Sequence, residues 1–173
     1  YLRLVESSAR QMQVDAISDH LGFTRGGSGI ELGHFAPPPY TVPALEATCR
    51  NIALIQSRFA PRPFFIENIT YQFRFEGTMD EDEFLSEVLK RTGCGWLLDV
   101  TNVYANSVNF RFDPYEFIAT VMPHAPQLQM HLSGGYFHPQ SGLYVDSHSQ
   151  PIPDAVWSLF DVATALAGSR VQT

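Results

Sequence analysis

Four short apolar runs in the chain each break off at a polar, metal-capable side chain. Trp96-Leu97-Leu98 runs into Asp99, with Asn102 three residues further on. Phe64-Phe65-Ile66 runs into Glu67-Asn68, and Gln127-Leu128-Gln129-Met130 into His131. Val14-Asp15-Ala16-Ile17-Ser18 runs into Asp19-His20. A strand hidden on both faces reads as a near-continuous apolar run, so these stretches predict strands at about 14–18, 63–67, 95–100 and 127–132. Helical spacing fills the intervals. Leu2, Val5 and Ala9 share one face of a segment over 1–12. Thr41 is placed as the N-cap of a helix running to about Arg58, with Pro43 in its first turn and Leu45, Cys49, Ile52 and Ala53 as its inward residues. A third helix, 80–91, opens on Asp80, Glu81, Asp82 and Glu83 at the positive end of its dipole and closes on Lys90, Arg91 and Gly93. Asp113-Pro114 starts a helix to about Met122, and another covers 153–167 before Gly168. Val171 is placed to begin a further strand. The rest reads as loop: Arg25-Gly26-Gly27-Ser28-Gly29, three prolines at 37–39, residues 68–79 with Tyr71, Phe73 and Phe75 alternating, a polar stretch after Asn102, and Ser133-Gly134-Gly135.

Strand, loop and helix repeated four times is the signature of a parallel sheet with helical crossovers. Such sheets carry their sites at the C-terminal strand ends, which is where the polar residues fall. The expected class is therefore α/β, a TIM (β/α)8-type barrel. Four strands are half of such a barrel, and a half barrel leaves open edges that invite pairing. Residues 1–173 are thus expected to form a single, partial TIM-barrel domain, the central portion of a larger barrel.

Composition narrows the function classes. With 11 Lys and Arg against 18 Asp and Glu, the formal charge is −7. That argues against nucleic acid as a partner, since such binding rests on neutralising phosphates. No apolar run reaches the roughly 18 residues needed to span a bilayer. No signal peptide is visible and the chain starts at Tyr1 rather than Met. Cys49 and Cys94 are expected to be free buried thiols, which fits a reducing, cytoplasmic setting.

A carboxylate at the end of a buried strand cannot stay unpaired in an apolar core; it needs a cation, a donor network or water. Asp99 and Asn102, three residues apart past a strand end, can face one point if the turn has near-helical pitch. Asp146 and His148, two apart in an extended segment, point the same way. With His20, Glu67 and His131 they give three imidazoles, three carboxylates and one amide oxygen. Carboxylate and imidazole donors suit iron, manganese and zinc, and the absence of cysteine among them argues against soft-metal sites. Seven donors exceed the needs of one ion, so Glu67 or Asp99 could bridge two, and two-metal sites orient a substrate or activate water or dioxygen. His34 stands in reserve as an outer ligand, a substrate contact or a plain surface residue. Tyr71, Phe73 and Phe75 read as a substrate wall or as half-buried packing.

The motifs also occur in a known order. Ser18-Asp19-His20-Leu21, Pro39-Tyr40-Thr41, Phe65-Ile66-Glu67-Asn68, Arg91-Thr92-Gly93-Cys94-Gly95, Leu98-Asp99-Val100-Thr101-Asn102-Val103-Tyr104, Phe112-Asp113-Pro114, His131-Leu132-Ser133-Gly134 and Asp146-Ser147-His148 span nearly the whole chain. In this the chain resembles the multinuclear non-heme iron-dependent oxidative enzymes, formerly domain-of-unknown-function family 692. That family is itself similar to the xylose-isomerase-like barrels, AP endonucleases among them. The resemblance implies a TIM barrel binding two or three irons and using dioxygen to modify residues, often cysteine, of ribosomally made precursor peptides. It implies a small partner protein that presents the peptide. By position it implies His20, Glu67, Asp99, Asn102, His131, Asp146 and His148 as iron ligands. Two other readings stay open: a metal-dependent isomerase or hydrolase on the same barrel, with zinc or manganese, and a non-catalytic metal-binding remnant.

Overall fold

A computed structural model describes residues 2–27 and 29–171. Tyr1, expected at the start of the first helix, Ser28, expected in the glycine-rich loop, and residues 172–173 lie outside the described residues. In chain order the elements are α1 (Leu2–Gln11), β1 (Ile17–His20), β2 (Phe23–Arg25), β3 (Glu31–Ala36), α2 (Val42–Phe59), β4 (Phe64–Glu67), α3 (Glu81–Thr92), β5 (Gly95–Asp99), α4 (Val100–Phe110), α5 (Pro114–Val121), β6 (Leu128–His131), β7 (Gly135–Phe137), β8 (Tyr144–Asp146) and α6 (Asp154–Ala167). Short 3₁₀ turns follow α5 and α6.

The class is α/β, as the strand–helix alternation predicts. Four strands form one sheet in the order β1-β4-β5-β6, every pair parallel. Each strand lies beside the next sheet strand in the sequence, with no reversal of direction across the sheet. That is the order of consecutive strands in a (β/α)8 barrel, whereas a doubly wound sheet reverses at a switch point. Val171 makes a parallel bridge to Leu128 on β6, as its place after the last helix predicts.

The central strands are hidden on both faces: every residue of β4 and β5 is buried. Trp96, Leu98 and Leu128 pack on one side with Phe84, Leu85, Val88, Ile118, Met122 and Leu159 from the helices. Burying one such side chain contributes roughly 1.5–3 kcal/mol, so this layer supplies much of the fold's stability. Glycine is required at both ends of the α3–β5 connection, among other places. Gly93 ends α3 in the left-handed region at φ 64°. Gly95 opens β5 opposite Phe65, where a Cβ would come within 2.3 Å of the Phe65 ring.

Thr41 caps α2 as expected, accepting from the Ala44 N–H. Of the inward residues expected on α2, Leu45 and Ile52 are buried and Cys49 is half-buried, but Ala53 is exposed. The expected polar loop after Asn102 is instead α4, which follows β5 without a connecting residue. Its buried residues mix Val100, Val103 and Ala105 with Thr101, Asn102, Asn106 and Ser107, so no clean apolar stripe stands out. Thr101 Oγ1 donates to the Ser133 carbonyl, Asn106 Nδ2 to the Ile69 carbonyl, and Asn109 Nδ2 to the Tyr144 carbonyl. Each of the three also accepts a backbone N–H from the loop or strand it holds. A helix that ties three connecting segments by hydrogen bonds does not announce itself by hydrophobic period. Two antiparallel hairpins, β2–β3 and β7–β8, form where no strand pairing was expected, although β8 falls in the segment expected to be extended around Asp146.

Candidate metal centre

Parallel pairing brings the strand ends together. His20 registers with Glu67 across β1 and β4, and Asp99 with His131 across β5 and β6. Each of these four residues is the last of its strand. One ligand-capable atom from each of Glu67, Asp99 and His131 lies within 4.8 Å of the others.

Glu67 is the hub. Its Oε1 lies 3.1 Å from His131 Nδ1 and its Oε2 lies 3.4 Å from His20 Nε2. The carboxylate therefore faces an imidazole on each oxygen. Asp99 caps α4, its Oδ1 accepting the Asn102 N–H at 2.8 Å. This is the near-helical turn predicted for the Asp99–Asn102 pair, realised as the first turn of a helix. The Asn102 amide reaches Thr70 through its oxygen and donates through Nδ2 to the Asn68 carbonyl at 2.9 Å.

Asp146 ends β8. Its Oδ1 accepts from Ser133 Oγ at 2.6 Å, and its Oδ2 lies 3.0 Å from His148 Nε2. His148 sits on an exposed bend at φ 53°, a left-handed conformation rare for a side-chain-bearing residue. The pairing expected of Asp146 and His148 is thus present, although the bend rather than an extended strand brings it about. Sites that hold residues in sparsely populated backbone regions are often functional.

Burial costs the ionised form of Asp99. The residue is 3% exposed, and its carboxyl is pushed up to about 6, first by desolvation. The Asn102 N–H opposes the rise; the Asp146 and Glu67 carboxylates add to it, and His131 lowers it. A cation among these groups would remove the penalty that raises the group. A cavity of about 270 Å³ adjoins the set, lined among others by His20, Phe35, Thr70, Asn102, Tyr144 and Asp146.

The sequence reading thus assembles in three parts. Glu67, Asp99 and His131 form the tight cluster, His20 joins it through Glu67, and Asn102 through Asp99. The Asp146–His148 pair reaches the same cavity through Asp146. His34 also lines that cavity, its Nδ1 2.9 Å from the Phe35 carbonyl. Residues that strand-end reasoning does not find are Asn68, Thr70 and Ser133, which hold the metal-capable groups. Asn68 and Ser133 fall inside the motifs without a role assigned to them; nothing in the sequence marks Thr70. Of the aromatic trio, Tyr71 is buried, while Phe73 and Phe75 are 39% and 43% exposed. The two thiols are free, Cys94 buried and Cys49 half-buried.

The chain is thus an α/β protein whose parallel sheet gathers carboxylate and imidazole groups at its C-terminal rim, an arrangement that could hold a metal ion. A family model described as RiPP precursor modification enzyme MbnB/TglH/ChrH matches residues 1–172, and the chain belongs to this family. A UPF0276 protein of Caulobacter vibrioides is 41% identical over 170 residues, 97% of this chain and 59% of the relative. A UPF0276 protein of Rhizorhabdus wittichii is 38% identical over 169 residues, again 97% of this chain and 59% of the relative. One from Vibrio vulnificus is 36% identical over 162 residues, covering 92% of this chain and 55% of the relative. The chain thus spans somewhat over half the length of these curated relatives. Among the described residues no helix is long and apolar enough to cross a membrane.

Proposed function

We propose that the chain carries the metal centre and adjoining pocket of an iron-dependent oxidative enzyme. Its substrate would be a ribosomally made precursor peptide, in which it modifies residues, cysteine among them, at the expense of dioxygen. The observation that carries the reading is the convergence of Glu67, Asp99 and His131 within 4.8 Å, with His20 on the second oxygen of Glu67. The donor set fits iron: oxygen and imidazole groups without thiolate, in a partly buried pocket. The family to which the chain belongs supports the peptide as substrate. Residues 1–173 are read as one partial TIM-barrel domain.

Within this reading Glu67, Asp99 and His131, with His20, Asn102, Asp146 and His148, would hold the iron; Glu67 faces His131 through one oxygen and His20 through the other. Iron, when bound, supplies the activation of dioxygen and the redox equivalents. The chain's own residues hold the charge and the geometry. Asp99 would bind a cation in its ionised form, the ligand form of a carboxylate. Ser133 orients Asp146 by a 2.6 Å bond, and Asp146 in turn faces His148. The cavity, with Phe35 and Tyr144 in its wall, would receive the reacting peptide side chain. A small partner protein would present the peptide, and the free thiols support a reducing, cytoplasmic setting.

The test is elemental analysis after anaerobic purification, followed by mass spectrometry of a cysteine-containing precursor peptide incubated with protein and air. Iron at about two or more per chain, with a mass change in the peptide, supports the proposal. Zinc or manganese alone with an unchanged peptide would favour an isomerase or hydrolase, and protein without metal would favour a remnant.

A further inference from the structure

Asn68 sits directly after Glu67, is 2% exposed, and uses every polar atom of its side chain across the sheet. Its Oδ1 accepts two hydrogen bonds, from the Asp99 backbone N–H and from Trp96 Nε1, both at 3.1 Å. Its Nδ2 donates to the Asp99 carbonyl at 2.9 Å. One side chain at the end of β4 therefore takes both backbone groups of the residue that ends β5. Its own carbonyl accepts from Asn102 Nδ2 at 2.9 Å. A carbonyl can only accept, so this bond determines which end of the Asn102 amide is nitrogen. The oxygen end must then face Thr70 and the cavity.

We infer that Asn68 is a positioning residue for the metal centre: it locks the ends of β4 and β5 together and turns the Asn102 amide oxygen toward the cavity. The inference rests on the proposed metal site but adds a residue that the ligand pattern does not contain. Without the clamp, Glu67 and Asp99 would sit on strand ends joined only by the sheet ladder, which stops at Glu67 opposite Leu97. Partners of this kind orient ligand side chains, and their loss costs about 10–100-fold in metal affinity.

The experiment compares Co(II) binding and visible absorption of the wild-type chain, Asn68→Asp and Val88→Ala. Val88 is fully buried on α3 away from the strand ends, so its truncation lowers stability without touching the clamp. Asn68→Asp keeps the size and the acceptor oxygen but loses the donor to the Asp99 carbonyl. Its added negative charge would by itself favour a cation, so weaker binding reports geometry. The expected result is binding about 10–100-fold weaker than wild type with an altered Co(II) spectrum, while Val88→Ala binds like wild type despite a lower melting temperature. Should Asn68→Asp fail to fold, Trp96→Phe removes one of the three side-chain bonds and is expected to weaken binding several-fold with a shifted spectrum. If the folded clamp variant binds Co(II) within about twofold of wild type with the same spectrum, Asn68 is only structural and the inference is overturned. If the wild-type chain itself binds no Co(II), the functional reading fails and this inference falls with it.

Discussion

Replacing Asp99 by Asn should stabilise the protein stripped of metal while abolishing much of its capacity to bind one. The carboxyl is raised from 3.8 to about 6, with burial as the first cause and the Asp146 and Glu67 charges adding to it. A rise of about two pH units corresponds to roughly 3 kcal/mol of destabilisation when the group is fully ionised. The sign follows from linkage: the folded state holds the Asp99 proton more tightly than the unfolded chain does. Stability is therefore undiminished by this group below about pH 4, declines through the interval from 4 to 6, and carries the full penalty above about 6. Asn keeps the Oδ1 acceptor that caps α4 at the Asn102 N–H and introduces no charge. Urea denaturation of chelator-treated wild type and Asp99→Asn at pH 4 and pH 7.5 reads the effect. The variant should match wild type at pH 4 and exceed it by up to about 3 kcal/mol at pH 7.5, a gain of roughly 6–12 °C in melting temperature for a chain of this size. A variant no more stable than wild type at pH 7.5, or equally stabilised at both pH values, would refute the reasoning that a buried, cation-seeking charge sits at this strand end.

Three further outcomes follow from the same geometry. Metal affinity should fall as pH drops below about 6, where Asp99 regains its proton; titrations at pH 5 and pH 7 should show proton release on binding only at the lower value for this group. Glu67→Gln should strip metal with little unfolding, since it removes the charge that both His20 and His131 face; elemental analysis and a melting curve measure the two effects separately. Tyr71→Phe removes the hydroxyl that donates to the buried Glu81 at 2.6 Å. Glu81 is raised to about 7 by burial, against the opposing effect of that same bond. Its contribution to stability is lost as pH rises from about 4.5 through 7, and the variant should lose about 1.5–3 kcal/mol at pH 8 and less at pH 5.

Strands β4 and β5 were legible because burial on both faces leaves a run of apolar residues with an abrupt polar end; β6 is only partly buried and was legible from Leu128 and Met130 ahead of His131. From that ending followed the parallel sheet and the gathering of Glu67, Asp99 and His131 at one rim. Helix α4 was not legible, because the polar residues Thr101, Asn106 and Asn109, bonded to loop and strand backbone, interrupt the apolar positions Val100, Val103 and Ala105 that it buries. The two hairpins escaped for a different reason: three- to six-residue strands beside glycines carry too few alternations to be told from loops. Asn68 was visible as a letter after Glu67 but not as a clamp, since its partners Trp96 and Asp99 are about 30 residues away in sequence and meet it only through the sheet.

The most direct measurement is anomalous X-ray diffraction at the iron edge from crystals of anaerobically purified protein. Anomalous peaks are expected at bonding distance from Glu67, with Asp99 and His131 on one side and His20 on the other. A crystal of iron-loaded protein with no peak among these side chains, or with its iron bound elsewhere, would contradict the proposed metal centre.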